Sequence, residues 1–488
     1  MENITEGILD FKSLERAIFD DMCQVARIMV QKYLQEWDRI IRALREAKEY
    51  RFHSYRATHV LTVFGRVDYK RAYYQKRGGG FICLLDEAMG VKAGCGKVGE
   101  NLAGLIVAEC ADKSFRKAAE SISAMTGQTV NRMGAWGVLQ TFGQKIESQG
   151  ARLEELAEND ITGQLGNVSC PVLFEEFDDV WLNQQRADRR KKGAPAERGR
   201  KRIGRRPMHV GTAYTGWKRQ KDGSYETADK VAYAAFGDVP GFLSRFEALL
   251  RHFFDMDGVE RVVMNGDGEG WIKTAAAQSE ATLQLDPFHR SRAILRAVKG
   301  KGDREAINDA FKEKDVEKAL DIIGGLISTG SEEAELKKLV GLLTYFDNNR
   351  GHLLPWQDRG ASAPAAPEGV EYRNMGLQEH NNCDLLTQRM KHRKGSWSQA
   401  GADNMAKVLC LKNTVGISAM MAPLPEPPAP GAPKDVLSAA KAPIYDGEGS
   451  DGTWLRAALP ITETFVTHGR AAIRNLIRNR PLSDLRLI

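Results

Sequence analysis

The sequence predicts an α+β/α/β multidomain protein, with a mixed-sheet core carrying a helical insertion and a mainly helical region before it. Three observations lead there. Helical periodicity dominates the first 150 residues, strand-like apolar runs around one amphipathic helix fill 171–289, and helical spacing returns over 290–370. At 488 residues the chain exceeds one ordinary core, so two or three domains are expected.

From Phe11 to about Tyr50, apolar residues recur at helical spacing (Leu14, Ile18, Met22, Val25, Met29, Tyr33, Trp37, Ile41) with no Gly or Pro. Residues 1–55 therefore read as one long helix, either a core helix or a dimerisation element. Residues 56–150 read as a DNA-binding region, although a helical pair of this kind also occurs in proteins that do not touch DNA. It opens with a hairpin, Val60–Phe64 and Val67–Tyr73 around Gly65-Arg66, and continues with two helices around Thr126-Gly127. Small Ala118-Ala119 let those helices approach as a helix-turn-helix requires, and the second, starting near Thr129 and running through Val130, Met133, Trp136 and Leu139, would offer Gln128, Asn131 and Arg132 to a major groove.

After a polar bridge, strands are expected at 172–182, 208–214 and 230–236, then a helix at 242–254 with Leu243, Phe246, Leu249, Leu250 and Phe253 on one face, then strands at 259–265 and 281–289. That succession is the order of a ribonuclease H-like core, the first three strands antiparallel and the later ones parallel to the first. The core would comprise 171–289 plus 371–420, with 290–370 inserted. Residues 421–434 read as a Pro-rich linker and 435–488 as a tail with Arg470, Arg474 and Arg478 at helical spacing.

Composition narrows the function. No run of about 18 apolar residues appears, and the acidic start lacks the parts of a signal peptide, so no membrane role and a cytoplasmic location are expected. The seven cysteines are scattered and never form CxxC, which argues against a disulfide framework or zinc finger. Net charge is +6, yet 186–206 alone holds eleven Lys/Arg against Asp188 and Glu197, a local +9. Arg189, Arg190, Lys191, Lys192, Arg200, Lys201 and Arg202 thus form a candidate phosphate-binding arm directly after the first core strand.

Three carboxylates stand out. Asp178 lies in Val172-Leu-Phe-Glu-Glu-Phe-Asp-Asp-Val-Trp-Leu182, Asp267 in Val262-Val-Met-Asn-Gly-Asp-Gly268, and Glu379 opens a polar helix after Gly376. An isolated Asp-Gly is ordinarily a solvated turn. Asp267 differs in following a continuous apolar strand, where ligands of such sheets gather. In the first strand Glu176 and Asp178 share a face while Asp179 points the other way, and periodicity leaves the choice between Asp178 and Asp179 open. Magnesium takes oxygen ligands and keeps several waters, so a few such side chains plus a substrate phosphate suffice for a phosphodiester site. Arg389 and Arg393 add charge near Glu379, Trp397 is a candidate for stacking on an unpaired base, and His289 for contact with phosphate or water.

The strings Glu176–Gln185, Tyr214-Thr-Gly-Trp217, Asn265-Gly-Asp-Gly-Glu-Gly-Trp-Ile-Lys273, Leu285-Asp-Pro-Phe-His289 and Arg389–Ser398, with Phe64-Gly, Leu84–Glu87 and Ser114–Ala119, resemble bacterial insertion-sequence transposases of the Lre type, relatives of the Mutator-like enzymes. The resemblance spans roughly residues 10–420. It implies a ribonuclease H-like core with Asp178, Asp267 and Glu379 as the metal-binding catalytic triad, and an N-terminal part that reads terminal repeats. The sequence departs from the family pattern at Phe177, where a small residue usually stands. The expected activity is magnesium-dependent cleavage of element ends and joining of the 3′-hydroxyl to target DNA, with manganese as a substitute. The expected partners are double-stranded DNA, as terminal inverted repeats and target, and a second copy of the chain in a homodimer or larger complex. The alternatives are a metal-dependent nuclease without strand transfer and a catalytically inactive, transposase-derived DNA-binding protein.

Overall fold

The computed structural model describes residues 10–89, 98–158, 166, 168–185, 205–359, 363–391 and 395–420, without the side chains of Glu379, His380 and 415–420. The expected linker and tail (421–488) and most of the basic arm (186–204) lie outside these residues. The described residues divide into two compact units, 10–138 and 139–420.

In the first unit, α1 (Phe11–Leu44) starts at Asp10, whose carboxylate accepts from Ser13 N at 2.9 Å, satisfying one first-turn donor. Leu34 and Ile41 pack with Val60, Val67, Tyr69 and Leu85. Buried Asp38 is satisfied because both its oxygens accept from Ala72 N, at 3.2 and 3.0 Å. Ala72 belongs to a three-stranded antiparallel sheet of β1 (Tyr50–Thr62), β2 (Gly65–Lys76) and β3 (Phe81–Ile82).

The hairpin differs from expectation in two ways. β1 reaches back to Tyr50, where the helix was expected to continue, and the ladder closes at Thr62↔Gly65 so that the turn is Val63-Phe64. Gly65 ends that turn at φ +118°, a conformation only glycine adopts easily. Beyond α2 (Leu84–Ala88) come α3 (Glu100–Asp112) and α4 (Phe115–Thr126), with Ala118, Ala119 and Ile122 of α4 buried. Gly127 stops α4 in the left-handed region at φ +69°. The next helix, α5 (Arg132–Glu158), begins later than Thr129 because Asn131 caps it, Oδ1 accepting from Gly134 N at 2.7 Å. Ala135, Leu139 and Gln140 are among its buried positions, whereas Met133 and Trp136 are 62% and 39% exposed.

The second unit is built on a five-stranded sheet in the order β10-β9-β4-β5-β8. These strands are β4 (Val172–Asn183), β5 (Arg205–Tyr214), β8 (Val231–Ala235), β9 (Arg261–Gly266) and β10 (Thr282–Leu285). β4 and β8 each pair antiparallel with β5, while β9 is parallel to β4 and β10 to β9. The sheet is mixed, with the expected directions. A small hairpin, β6 (Gly216–Arg219) and β7 (Tyr225–Ala228), was not anticipated; its strands are short and mostly polar.

Strand alternation divides β4 between two cores. Leu173 and Phe177 pack with Phe242, Phe246 and Leu250 of α6 (Val239–Phe253) and with Ile272 of α7 (Gly270–Gln278). Val172 and Phe174 pack on the other side with Tyr214, Trp217, Trp356 and Met375. The edge strand β8 is covered by α13 (Gln399–Met420), whose Thr414 and Asp403 side chains accept from Ala232 N and Phe236 N, both at 3.0 Å, leaving fewer edge donors open to association.

β10 stops at Leu285, short of the expected His289. Asp286 caps α8 (Pro287–Ala297), accepting from Phe288 N at 2.7 Å and His289 N at 3.4 Å, with Pro287 at the first helical position. The insertion is helical as expected: α8, α9 (Lys301–Lys312), α10 (Val316–Thr329) and α11 (Glu333–Asp347) share a core of Ile294, Ile307, Phe311, Leu320, Ile323 and Phe346. The chain then returns to the sheet at α12 (Gln378–Asn382), which continues as a π-helix, Cys383–Lys391. Among the described residues no helix is long and apolar enough to cross a membrane.

Candidate catalytic site

β4 pairs with β9 only as far as Glu176↔Asn265 and then runs on beside β5. Asp178 lies just past that point, on the face it shares with Glu176. Its Oδ1 accepts from Asp179 N at 2.7 Å and its Oδ2 from Asn382 Nδ2 at 2.6 Å. His289 Nε2, in the first turn of α8, stands 4.0 Å from the same Oδ2. Two helices remote in sequence, α8 through its first turn and α12 through its last residue, therefore meet at this carboxylate. Glu379 sits in the backbone of α12 one turn before Asn382; its side chain lies outside the described residues.

Asp267 directly follows β9. Its Oδ1 accepts from Glu269 N at 2.9 Å and its carbonyl from Tyr345 OH at 2.6 Å. The flanking glycines are required by their surroundings: a Cβ on Gly266 would come within 2.7 Å of Ile272, and Gly268, at φ +89°, would set one 2.8 Å from Asn349. Burial first, then the charges of Asp267 and Asp179, hold the Glu269 carboxyl above its ordinary range. Asp179 itself turns to the opposite face and binds His209 Nδ1 at 2.7 Å, and that hydrogen bond is the main cause of the raised His209 pKa. Of the adjacent aspartates, Asp178 is the one that meets α12.

Behind Asp178 lies a buried polar network that the sequence reading missed. Glu176 is fully buried and accepts from Tyr214 OH at 2.5 Å, Asn265 Nδ2 at 3.0 Å, Leu377 N at 3.3 Å and Gln378 N at 3.0 Å. Asn265 also donates to Asp286 Oδ2 at 2.7 Å and accepts from Gln284 Nε2 at 3.0 Å. Thr212 donates to Gln378 Oε1 at 2.9 Å, and Lys230 to Asn381 Oδ1 at 2.9 Å. Burial pushes the Glu176 carboxyl and the Tyr214 phenol up and the Lys230 amine down. One sequence signal pointed here: a glutamate inside an apolar strand must find partners.

The expected nucleic-acid residues fare unevenly. Arg132 is exposed and Gln128 half-buried with Nε2 donating to Thr126 O at 3.2 Å, while Asn131 spends its side-chain oxygen on the α5 cap. Arg189, Arg190, Lys191, Lys192, Arg200, Lys201, Arg202 and Arg393 lie outside the described residues. Trp397, expected to be available for base stacking, is only 9% exposed; its indole N–H donates to Met390 O at 2.9 Å and the Arg389 guanidinium sits 5.3 Å from its ring. This tryptophan serves packing, because its segment is pinned to the end of β4 through Gln185 N and Trp397 O at 2.7 Å.

For a hard divalent cation the donor chemistry fits, since Asp178 and Asp267 both offer carboxylate oxygens at one end of the sheet. Among the described residues no three His, Cys, Asp or Glu side chains converge to hold one ion.

Fold and site together define a mixed α/β protein whose central sheet presents aspartates on and beside neighbouring parallel strands and recruits a later helix to them. The chain belongs to the family described as Uncharacterised protein family (UPF0236), whose model matches residues 4–420. Similar proteins include a UPF0236 protein in the vanSb 3′ region of Streptococcus gallolyticus, 23% identical over 71% of this chain and 70% of that protein. Another, from Caldanaerobacter subterraneus subsp. tengcongensis, is 24% identical over 83% of this chain and 77% of its own length, and its name joins eleven loci.

Proposed function

We propose that this chain is a magnesium-dependent DNA transposase of the insertion-sequence type, with Asp178, Asp267 and Glu379 as its catalytic carboxylates. The observation that carries this reading is the meeting of elements at Asp178: the central strand bears it, the neighbouring parallel strand ends just before Asp267, and Asn382 ties the helix of Glu379 to it at 2.6 Å. The strand order β10-β9-β4-β5-β8, with only the middle strand of the first three reversed, supports a ribonuclease H-like core. The relative whose name joins eleven loci adds support, since a self-mobilising sequence multiplies within its genome.

Magnesium held by these carboxylates would supply activation of the attacking oxygen and stabilisation of the departing one. Water attacks phosphorus at the element end and the 3′-oxygen leaves as a free 3′-hydroxyl. That hydroxyl then attacks a target phosphorus in line, displacing the target's own 3′-oxygen without a covalent protein intermediate. The arm at 186–206 and Arg389 and Arg393 would neutralise phosphates, α4 and α5 would act as the helix-turn-helix that finds the ends, and two copies would serve two ends.

Purified protein, magnesium and a duplex carrying whatever inverted repeats are found to flank the gene test this. Cleavage at the repeat boundary with joining to a second duplex is expected. Cleavage without joining would favour the nuclease, and binding alone the inactive DNA-binding protein.

A further inference from the structure

We infer that Glu176 is the positioning residue of this site: it fixes the helix beginning at Gln378 against the central strand and is not itself a metal ligand. The inference rests on the catalytic reading above. Glu176 and Asp178 share a strand face, so both could be taken for ligands. The hydrogen bonds separate them. Oε1 of Glu176 accepts from Tyr214 OH and Leu377 N, and Oε2 from Asn265 Nδ2 and Gln378 N. Four donors occupy the roughly four lone-pair sites of a carboxylate, leaving none for a cation.

Those donors come from β5, β9 and the entry to α12, so one buried group joins three elements to β4. The first N–H groups of a helix have no partner within it, and a carboxylate there also complements the positive end of the helix dipole. Here the capping group comes from the sheet rather than from the preceding loop. The rest of the first turn is tied down as well. Gln378 accepts from Thr212, the cross-strand partner of Glu176; Asn381 accepts from Lys230; Asn382 donates to Asp178. Position 379 lies between these anchors, so its backbone height above Asp178 follows from where Glu176 holds the turn.

Glu176→Gln in the full chain tests this, because its amide must turn a donor toward groups that already donate. Amide hydrogen exchange over 377–391 is expected to accelerate about tenfold or more, and the magnesium concentration for half-maximal cleavage to rise about tenfold, with cleavage largely restored at saturating magnesium. Tyr214→Phe, which removes one donor and keeps the ring, is expected to shift the magnesium midpoint the same way by a smaller factor, and it serves should Glu176→Gln fail to fold. Unchanged exchange over 377–391, or a Glu176→Gln protein inactive at every magnesium concentration like a lost ligand, would overturn the inference. Exchange is read without metal or DNA, so a wild-type protein that cleaves nothing sinks the catalytic reading while exchange still decides the anchor.

Discussion

Asn382 donates its side-chain amide to Asp178 Oδ2 at 2.6 Å across 204 residues of sequence. The bond holds the carboxylate in one rotamer and ties helix 378–391 to β4. If Asp178 holds magnesium as proposed, Asn382→Ala should lower cleavage about tenfold to a hundredfold, the usual cost of losing a group that orients a ligand. A change of only a few degrees in Tm would show that the loss is local; full activity would show that the bond has no part in catalysis.

Gly268 adopts φ +89° with no room for a Cβ beside Asn349. Gly268→Ala should cost about 1–3 kcal/mol through the left-handed backbone alone, more if Asn349 cannot yield. Denaturant unfolding measures it, and on the proposed catalytic role of Asp267, the preceding residue, the same variant should lose cleavage.

Glu175 lies on the α6-covered face of β4, where burial, with Glu247 adding, pushes its carboxyl up to about 8. The folded protein then holds a proton that the unfolded chain releases above about 4.3. This stabilising contribution is complete below the unfolded pKa and fades as pH rises toward 8, since the native state binds more protons across that window. Wild type should lose Tm between pH 5 and 8.5, and Glu175→Gln should lose distinctly less; parallel curves would contradict this.

Ile18, Met22, Met29 and Tyr33 of α1 remain 38%, 44%, 47% and 45% exposed and follow one another at spacings of four, seven and four. Such a stripe suits a second helix. If α1 mediates the proposed homodimer, Met22→Glu with Met29→Glu should yield monomers by light scattering, whereas an unchanged mass would place the interface elsewhere.

What the sequence disclosed was what period and punctuation encode. The alternation of β4, the apolar run before Asn265 and the stripe of α6 each reflect one element meeting one core. Asp286-Pro287 was equally legible as a helix start, yet the apolar stretch before it drew the strand too far. The tie between Asn382 and Asp178 and the donors around Glu176 were not legible, because every partner lies on another element and periodicity says nothing of which elements meet. The packing of Trp397 was hidden for the same reason: its basic neighbours suggest a nucleic-acid surface, while its contacts with Met390 O and the end of β4 come from folding.

Asp267→Asn tests the central claim most directly. With magnesium and repeat-end DNA, wild type should cleave and join, and Asp267→Asn should lose at least about a hundredfold of both while keeping its Tm and DNA affinity. An Asp267→Asn protein that cleaves and joins at the wild-type rate would contradict a metal-holding role for Asp267.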